Sequence, residues 1–229
     1  MGGLQPFTTI DYPGSLAAVV FVQGCPWRCV YCHNPQLQRR HGPAGPSWSD
    51  LRAWFARRSG LIDAVVFSGG EPTLDPALPA AMTEVRAAGL KVGLHTAGLA
   101  PSRLTPLLGL VDWVGLDVKA PLDDEAVHRA ITGAPRGGAT VRRSLEALLA
   151  SGVALECRTT AHPALHDDRA LLAIASALAE AGVQDYALQL CRPPRAHALA
   201  PVAAEWPSPT TLVAVAARFT RFTVRRDTA

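Results

Sequence analysis

The amino-acid sequence predicts an α/β fold: a partial, open β/α barrel of about six parallel strands with helices on its outside. Apolar runs of strand type recur along the chain with helix-like segments between them, which is typical of βα units joined by right-handed crossovers. Several runs are apolar on both faces, as the strands of a parallel sheet buried under helices must be. Six or seven units are too few to close a standard eight-stranded barrel, and a doubly wound sheet is the alternative.

Each strand is predicted where a short apolar run occurs. In chain order the strand ranges are 16–22, 62–67, 91–95, 112–118, 153–159 and 185–190, with a possible seventh at 219–225. Helical patterns fall between the strands, and their ranges are 48–58, 77–88, 101–109, 123–131, 141–151, 167–181 and 209–218. Both architectures bind ligands in the loops after the carboxyl ends of their strands, so we expect a functional site in those loops.

The composition favours one folded domain. The chain has 229 residues, of which 48% are hydrophobic and 18% are charged, enough apolar surface for a substantial core. We expect a single domain over residues 1–229, with its core at about 11–192 and a C-terminal segment, 193–229, without a recognisable motif. The net charge of +3 is too small to indicate nucleic-acid binding by itself.

The sequence also indicates the compartment. No apolar run approaches the roughly 18 residues of a membrane span, and the first residues lack the basic and apolar regions of a signal peptide. We therefore expect a cytoplasmic protein that neither spans a membrane nor binds nucleic acid. In that compartment thiols stay reduced, so clustered cysteines are interpreted first as metal ligands.

Three of the five cysteines are clustered in the loop after the first predicted strand. Cys25, Cys29 and Cys32 follow the pattern C-x3-C-x2-C, which lets three thiolates converge on a soft metal centre. One alternative is a zinc site completed by His33 or a distant cysteine, and another is a set of buried reduced thiols. An iron–sulfur cube held by three cysteines would leave one iron open to a substrate or cofactor.

The residues around these cysteines resemble a known family. The pattern C-x3-C-x-aromatic-C, with Tyr31 as the aromatic residue, is similar to that of the radical S-adenosylmethionine (SAM) enzymes. The segments DYPG at 11–14 and FVQGCPWRCVYCHNP at 21–35 resemble those of glycyl-radical-enzyme activating proteins. The likeness is greatest to activating proteins of anaerobic ribonucleoside-triphosphate reductase, and pyruvate formate-lyase activating enzymes are near relatives.

This resemblance implies cofactors and their ligands. It implies one [4Fe-4S] cluster on Cys25, Cys29 and Cys32, with SAM on the fourth iron and Tyr31 against the adenine. Cys157 and Cys191 are then buried thiols and not ligands. The turn after the second strand supports the match, because the family holds the SAM amino group there; its residues are Ser68, Gly69, Gly70 and Glu71. Taken alone, that turn would be interpreted as an ordinary β-to-α connection.

Further SAM contacts are implied at the ends of later strands. Asp117 and Lys119 in GLDVKAP match the D-x-K segment that lies beside SAM and the substrate peptide, although a surface ion pair is the alternative. The resemblance gives Arg158 a contact to SAM.

One segment departs from the family. Relatives carry an aspartate after the third strand, in some of them as a ligand of a monovalent cation. This chain has His95 and Thr96 there, and histidine does not replace a carboxylate as ligand of a hard cation. Either the cation is absent, or His95 faces the SAM carboxylate.

The activity implied by the resemblance is hydrogen abstraction from a partner protein. A reduced cluster would cleave SAM to a 5′-deoxyadenosyl radical, which would abstract hydrogen from one glycine of a glycyl radical enzyme, first of all anaerobic ribonucleoside-triphosphate reductase. An electron donor such as flavodoxin or ferredoxin would be a second partner. Three alternatives remain: activation of pyruvate formate-lyase, radical SAM chemistry on a small molecule, and a zinc-binding interaction protein without catalysis.

Overall fold

A computed structural model describes residues 1–42, 45–191, 199, 202–203 and 205–226. Its eight strands form one open, mostly parallel sheet in which the strands follow one another in chain order. The strands are β1 Gly3–Thr8, β2 Ala17–Val22, β3 Ala64–Gly69, β4 Lys91–Thr96, β5 Trp113–Asp117, β6 Ala154–Ala161, β7 Asp185–Leu190 and β8 Arg221–Arg225. Strands β2 to β4 pair in parallel, as do β6 to β8, whereas β1 is antiparallel to β2. The α/β prediction with an open parallel sheet is confirmed.

Strand β1 was not predicted from the sequence. Its six residues, GLQPFT, include Pro6 and lack a clear apolar run. Proline lacks the amide hydrogen that a central strand needs, and it is tolerated at the edge of a sheet. The pairing register with β2 shifts between Gln5 and Thr8, next to this proline. The other seven strands correspond to the six predicted strands and the possible seventh.

Helices connect the strands. The α-helices are α1 Trp48–Ala56, α2 Leu78–Ala87, α3 Pro101–Leu104, α4 Glu125–Thr132, α5 Gly137–Ser151, α6 Asp168–Glu180 and α7 Pro209–Ala216, and short 3-10 helices lie at Pro35–Leu37, Pro72–Leu74 and Thr105–Leu107. The helix predicted at 101–109 is instead α3 followed by a 3-10 turn that contains Pro106, because proline breaks the α-helical hydrogen bonding. Helix α5 begins earlier than predicted, at two glycines whose low helix propensity concealed its start.

Contacts within the chain define two compact units. The first consists of Met1–Pro26, Asn34–Thr96 and Ser102–Gly115, and the second of Trp27–His33, Ala97–Pro101 and Leu116–Ala229. In the first unit, one apolar cluster joins β2, β3 and β5, and its buried members are Tyr12, Ala17, Val19, Ala64, Val66 and Trp113. The single functional domain expected from the sequence stays a prediction.

The described part of the C-terminal segment completes the second unit. Helix α7 and strand β8 carry Leu212 and Phe222, which pack with Trp206 against a buried cluster of β6, α6 and β7. The ring of Tyr186 on β7 stacks against that of Phe222, with 5.8 Å between their centroids. The segment 193–229 thus has a packing role over its described residues, and residues 193–198, 200–201, 204 and 227–229 lie outside them. No helix among the described residues is long and apolar enough to cross a membrane.

Candidate functional site

In the first unit, the turn after β3 is hydrogen-bonded to the segment that leads to Cys25. The amide of Gly70 donates to the carbonyl oxygen of Val22 at 2.8 Å, and the amide of Glu71 donates to that of Gly24 at 2.9 Å. These bonds continue the β2–β3 pairing beyond the ends of the strands. The backbone that precedes Cys25 is therefore held by the glycine turn.

The short 3-10 helix after the cysteine stretch holds the same segment from another direction. The amide of Gly24 donates to the carbonyl of Leu37 at 2.7 Å, and the amide of Cys25 donates to that of Gln38 at 3.0 Å. Leu37 is buried and anchors this helix. Cys25 thus has a defined backbone position within the first unit.

The two glycines of the turn are needed because another part of the backbone lies against them. A Cβ atom on Gly69 would lie 2.5 Å from the carbonyl oxygen of Val22, and Gly69 has φ +112°, a conformation that L-residues avoid. A Cβ on Gly70 would lie 2.5 Å from the carbonyl oxygen of Gly24. The two glycines therefore allow close approach of the cysteine-bearing segment.

Glu71 is a buried anchor, with 1% of its surface exposed. Its Oε1 atom accepts hydrogen bonds from the amide and hydroxyl of Thr73, at 3.2 and 2.7 Å, and from the hydroxyl of Thr96 at 2.7 Å. The structure therefore brings together Glu71 and Thr96, two of the predicted SAM residues, at the carboxyl ends of β3 and β4. Ser68, on β3, is half-buried.

His95 binds the protein backbone. Its Nε2 atom lies 2.8 Å from the carbonyl oxygen of Asp11, and its ring meets the edge of Trp113 with 5.5 Å between centroids. The carboxylate of Asp11 in turn accepts from the hydroxyl of Thr8 at 2.6 Å. His95 thus fastens β4 to the DYPG segment, and its expected contact with SAM stays a prediction.

In the second unit, three predicted site residues form a charged group. The amine of Lys119 lies 3.0 Å from Oδ2 of Asp117, and Nε of Arg158 lies 3.5 Å from Oδ1. The two cationic side chains are nearly buried, with 11% and 6% exposed, whereas that of Asp117 is 32% exposed. Burial alone lowers the pKa of Lys119, but the Asp117 carboxylate outweighs burial, so the pKa is raised and the amine stays charged at neutral pH.

Tyr31 lies in the core of the second unit. It packs against Ala120, Ile131 and Cys191, and the amine of Lys119 lies 5.6 Å from its ring centroid. Burial raises the pKa of its hydroxyl, which has no hydrogen-bond partner among the described residues. The ring is 3% exposed, so it fixes the stretch between Cys29 and Cys32 by packing. The adenine contact expected of Tyr31 stays a prediction.

The last turn of α4 holds the backbone on both sides of Cys29. The amide of Arg28 donates to the carbonyl of Thr132 at 2.8 Å, and the amide of Val30 donates to that of Ile131 at 2.9 Å. Carbonyls in the last turn of a helix lack partners within the helix, so the loop supplies donors that this helix end needs. No sequence motif indicated this attachment, which joins residues about a hundred positions apart.

His128 supports the same turn from inside. Its Nδ1 atom lies 3.1 Å from the hydroxyl of Thr132, and its ring meets the edge of Trp27 with 5.1 Å between centroids. A Cβ atom on Gly137 would lie within 2.0 Å of this ring, so only glycine fits there. Burial lowers the pKa of His128 and favours the neutral imidazole.

A second buried histidine holds the backbone at Lys119. Nε2 of His166 lies 2.9 Å from the carbonyl oxygen of Lys119, and its Nδ1 accepts from the amide of His162 at 3.4 Å. These partners fix the tautomer with hydrogen on Nε2. The sequence did not single out His128, His162 or His166, because isolated histidines in apolar segments form no motif. The HPALH segment after β6 was the only local signal.

The five cysteines fall into two chemical classes. Cys25, Cys29 and Cys32 are free thiols of intermediate exposure, and Cys157 and Cys191 are buried. Burial raises the pKa of Cys191 to about 11 and raises that of Cys157 further. Burial also raises the pKa of Cys29, so the two classes differ in their exposure. A cluster would present a separate iron to each thiolate, and the assignment of the three accessible cysteines as its ligands stays a prediction. Cys25 belongs to the first unit, and Cys29 and Cys32 belong to the second.

A single metal ion, unlike a cluster, needs ligands whose donor atoms all lie around one point. Within the described ranges, no three side chains of His, Cys, Asp or Glu form such a group.

Replacing Gly70 tests the hold on the Cys25 segment. We expect Gly70→Ala to destabilise the protein by about 1–3 kcal/mol, because the new methyl group pushes against the carbonyl of Gly24. The variant should also retain less iron after anaerobic reconstitution with iron and sulfide. Urea unfolding and iron analysis measure the two effects. Gly109→Ala is the control, since open space surrounds that position, and equal behaviour of the two variants would contradict the assignment.

The lowered pKa of His128 predicts a pH dependence of stability. The imidazole binds a proton near pH 6.5 in the unfolded state, whereas the folded state resists protonation. The contribution of His128 to the free energy of unfolding is therefore complete above pH 6.5 and is lost as the pH decreases through the folded pKa. The nearby charges are Glu125, which opposes this shift, and Lys119, which adds to it.

Urea midpoints measured between about pH 5 and 7.5 check this dependence. His128→Gln should flatten the decrease without abolishing it, because the pKa of buried His166 is also lowered. His41→Gln, at an exposed position, should leave the wild-type slope unchanged. A slope equally steep in both variants would refute the role of His128.

The chain is similar to proteins of a known family. The family model described as the Radical SAM superfamily matches residues 19–183. A Methanocaldococcus jannaschii protein assigned as a glycyl-radical enzyme activating enzyme is 29% identical over 207 residues, which are 86% of this chain and 82% of the relative. A pyruvate formate-lyase-activating enzyme of Clostridium pasteurianum is 32% identical over 59% of this chain, which spans 58% of that relative's length.

Solved structures support the fold. SuiB of Streptococcus suis, solved with S-adenosylmethionine, superposes with a TM-score of 0.71 and 11% identity, over 91% of this chain and 50% of its own. A domain of a pyruvate-formate lyase-activating enzyme from Bacteroides vulgatus gives 0.59 and 15%, over 72% of this chain and 99% of the domain. The family match over residues 19–183 gives the assignment. The chain belongs to the radical SAM superfamily, whose enzymes use a [4Fe-4S] cluster and S-adenosylmethionine as cofactors.

Proposed function

We propose that this protein is a glycyl-radical-enzyme activating enzyme, which abstracts a hydrogen atom from one glycine of a partner protein. The observation that carries the proposal is the relative assigned to this activity, which aligns with 86% of the chain and over 82% of its own length. When bound, the reduced cluster supplies the electron that cleaves SAM to methionine and a 5′-deoxyadenosyl radical, and that radical is the abstracting species.

The residues of the first unit would hold the cluster and one end of SAM. Cys25 would bind one iron, and the backbone of Ser68, Gly69 and Gly70 would accept from the SAM amino group, with Glu71 beneath it. The hydrogen bonds of Glu71 to Thr73 and Thr96 support this role, because they fix the turn before any ligand binds. In this proposal Thr96 orients the turn, and His95 orients β4 through the carbonyl of Asp11.

The residues of the second unit would hold the other ligands. Cys29 and Cys32 would bind two further irons, with Tyr31 packed between them. Lys119 and Arg158, held side by side on Asp117, form a cationic pair that suits the carboxylate of SAM. Asp117 is the most exposed of the three, and we place it toward the substrate peptide.

The partner is proposed from two observations. The likeness of the cysteine stretch to the activating proteins of anaerobic ribonucleoside-triphosphate reductase makes that reductase our first candidate. The relatives at 32% identity are named pyruvate formate-lyase-activating enzymes, which makes pyruvate formate-lyase the second.

A radical assay with each candidate tests the proposal. The protein is purified and reconstituted without oxygen, mixed with SAM, a reductant and one candidate partner, and examined by electron paramagnetic resonance. We expect the doublet of a glycyl radical on one partner, together with 5′-deoxyadenosine. Formation of 5′-deoxyadenosine without a glycyl radical on either partner would overturn the activating role and favour a small-molecule substrate.

Two cysteine variants test the cluster assignment in the same assay. Cys25→Ala should lose most of its iron, SAM cleavage and the glycyl radical together, because one of three thiolate ligands is missing. Cys157→Ala removes a thiol that is buried and neutral. This variant should keep its iron, SAM cleavage and the glycyl radical. A colourless wild-type protein with zinc and without iron, or SAM cleavage by Cys25→Ala, would contradict the assignment.

A further inference from the structure

Strands β6 and β7 of the second unit have two chemically different faces. Ala161 on β6 and Leu188 on β7 pack with Leu171 of α6 in a buried apolar cluster. Because successive residues of a strand point to opposite faces, the neighbouring residues Thr160 and Gln189 lie on the other face. These two residues are paired in the parallel register of β6 and β7, near the carboxyl ends of both strands. Their Cα atoms are therefore about 5 Å apart.

The arginines that β8 adds to this face are each paired with a carboxylate. Arg225, which is in register with Gln189, donates to Glu156 at 2.8 Å, and Arg221 forms an ion pair with Asp185. Each pair is neutral, so this part of the face has no surplus cation for a phosphate or another anion. An uncharged polar ligand suits it better.

Thr160 and Gln189 carry the uncommitted polar groups of this face. Their side chains have no hydrogen-bond partner among the described residues. Both residues are half-buried, so a ligand can reach them. Arg158, for which we propose a contact with SAM, precedes Thr160 by two positions and lies on the same face. The two uncommitted side chains are thus next to the proposed reaction site.

The chemistry of these two side chains matches that of a peptide main chain. The carboxamide of Gln189 has one carbonyl acceptor and one NH2 donor, which can bind the N–H and the C=O of a peptide segment together. The hydroxyl of Thr160 can donate and accept beside it. A glycine has no Cβ atom, so its main chain allows the closest approach to such side chains.

We propose that Gln189 and Thr160 determine substrate specificity by binding the main chain of the partner segment that carries the reacting glycine. The segment would be recognised by its peptide groups, and the side chains next to the glycine would contribute less. This inference rests on the proposed function, because it states how the substrate of that reaction is held. It does not depend on which glycyl radical enzyme is the partner.

Peptide binding tests the inference without turnover. The protein is reconstituted without oxygen and supplied with SAM but with no reductant. Fluorescein-labelled peptides that carry the glycine region of each candidate partner are then titrated by fluorescence anisotropy. In a series of these peptides one amide nitrogen at a time is methylated, which removes one N–H donor. We expect one methylation beside the glycine to weaken binding to the wild type by roughly threefold to tenfold, the range of one hydrogen bond.

Two variants identify the side chains that bind the peptide. In Gln189→Met, which removes the amide and keeps the length of the side chain, the same methylation should change the affinity by less than about twofold. Thr160→Val keeps the shape and removes the hydroxyl, and it should bind the unmodified peptide more weakly than the wild type does. Gln5→Met is the matched control at an exposed position of β1, and it should respond to methylation as the wild type does.

Equal sensitivity to methylation in Gln189→Met and in the wild type would overturn the inference. So would a wild type that binds neither peptide, or one that no methylation affects. Each comparison is made between two peptides on one protein, so a general loss of stability does not imitate the expected result. If Gln189→Met does not fold, Gln189→Leu replaces it with the same outcomes.

The glycyl radical assay decides the proposed function separately. A glycyl radical together with peptide binding that does not depend on Gln189 would support the activating role and overturn this inference. A methylation effect that depends on Gln189, without a glycyl radical on either partner, would support main-chain binding and overturn the activating role.

Discussion

The backbone contact between the turn after β3 and the segment after β2 is the constraint that positions Cys25 and the glycine turn in the first unit. Two parallel strands approach each other by hydrogen bonding, and here the pairing continues beyond the strands, through Gly70 and Glu71 to the residues before Cys25. The two backbone segments are so close that neither Gly69 nor Gly70 has room for a side chain. A single contact therefore positions both the proposed cluster ligand Cys25 and the proposed SAM-binding turn. Glu71 and Thr96 then connect the turn to β4 by side-chain hydrogen bonds.

In the second unit, Cys29 and Cys32 are positioned by hydrogen bonds between their loop and a helix end. The loop from Trp27 to His33 contains no regular secondary structure, and the last turn of α4 supplies acceptors for the amides of Arg28 and Val30. Buried polar groups must be paired, so each amide bonded to a helix carbonyl also restricts the loop to one position. His128 and Thr132 stabilise that turn, and Tyr31 fills the core beneath it.

Charge in the second unit is arranged around one carboxylate. Asp117 binds both Lys119 and Arg158, whose burial would otherwise be costly. His166 fixes the backbone of Lys119, so the position of the amine depends on a residue that lies after the next strand. Such groups are held before a ligand arrives, and preorganised charge binds an anion without a further cost of ordering side chains.

The sequence alone determined the order of the seven strands after β1 and of the helices between them, the cysteine cluster in the loop after β2, and the glycine turn. Those features have local causes: apolar periodicity for the elements, and short motifs with a chemical meaning for the site. Strand β1 was not predicted, because its pairing with β2, and not its composition, makes it a strand. The reason for the glycines, the attachment of the loop to α4, and the roles of His128 and His166 were decided only by the tertiary structure. Each depends on an atom supplied by a distant part of the chain, and a sequence does not show which distant backbone carbonyl will lie beside a given residue.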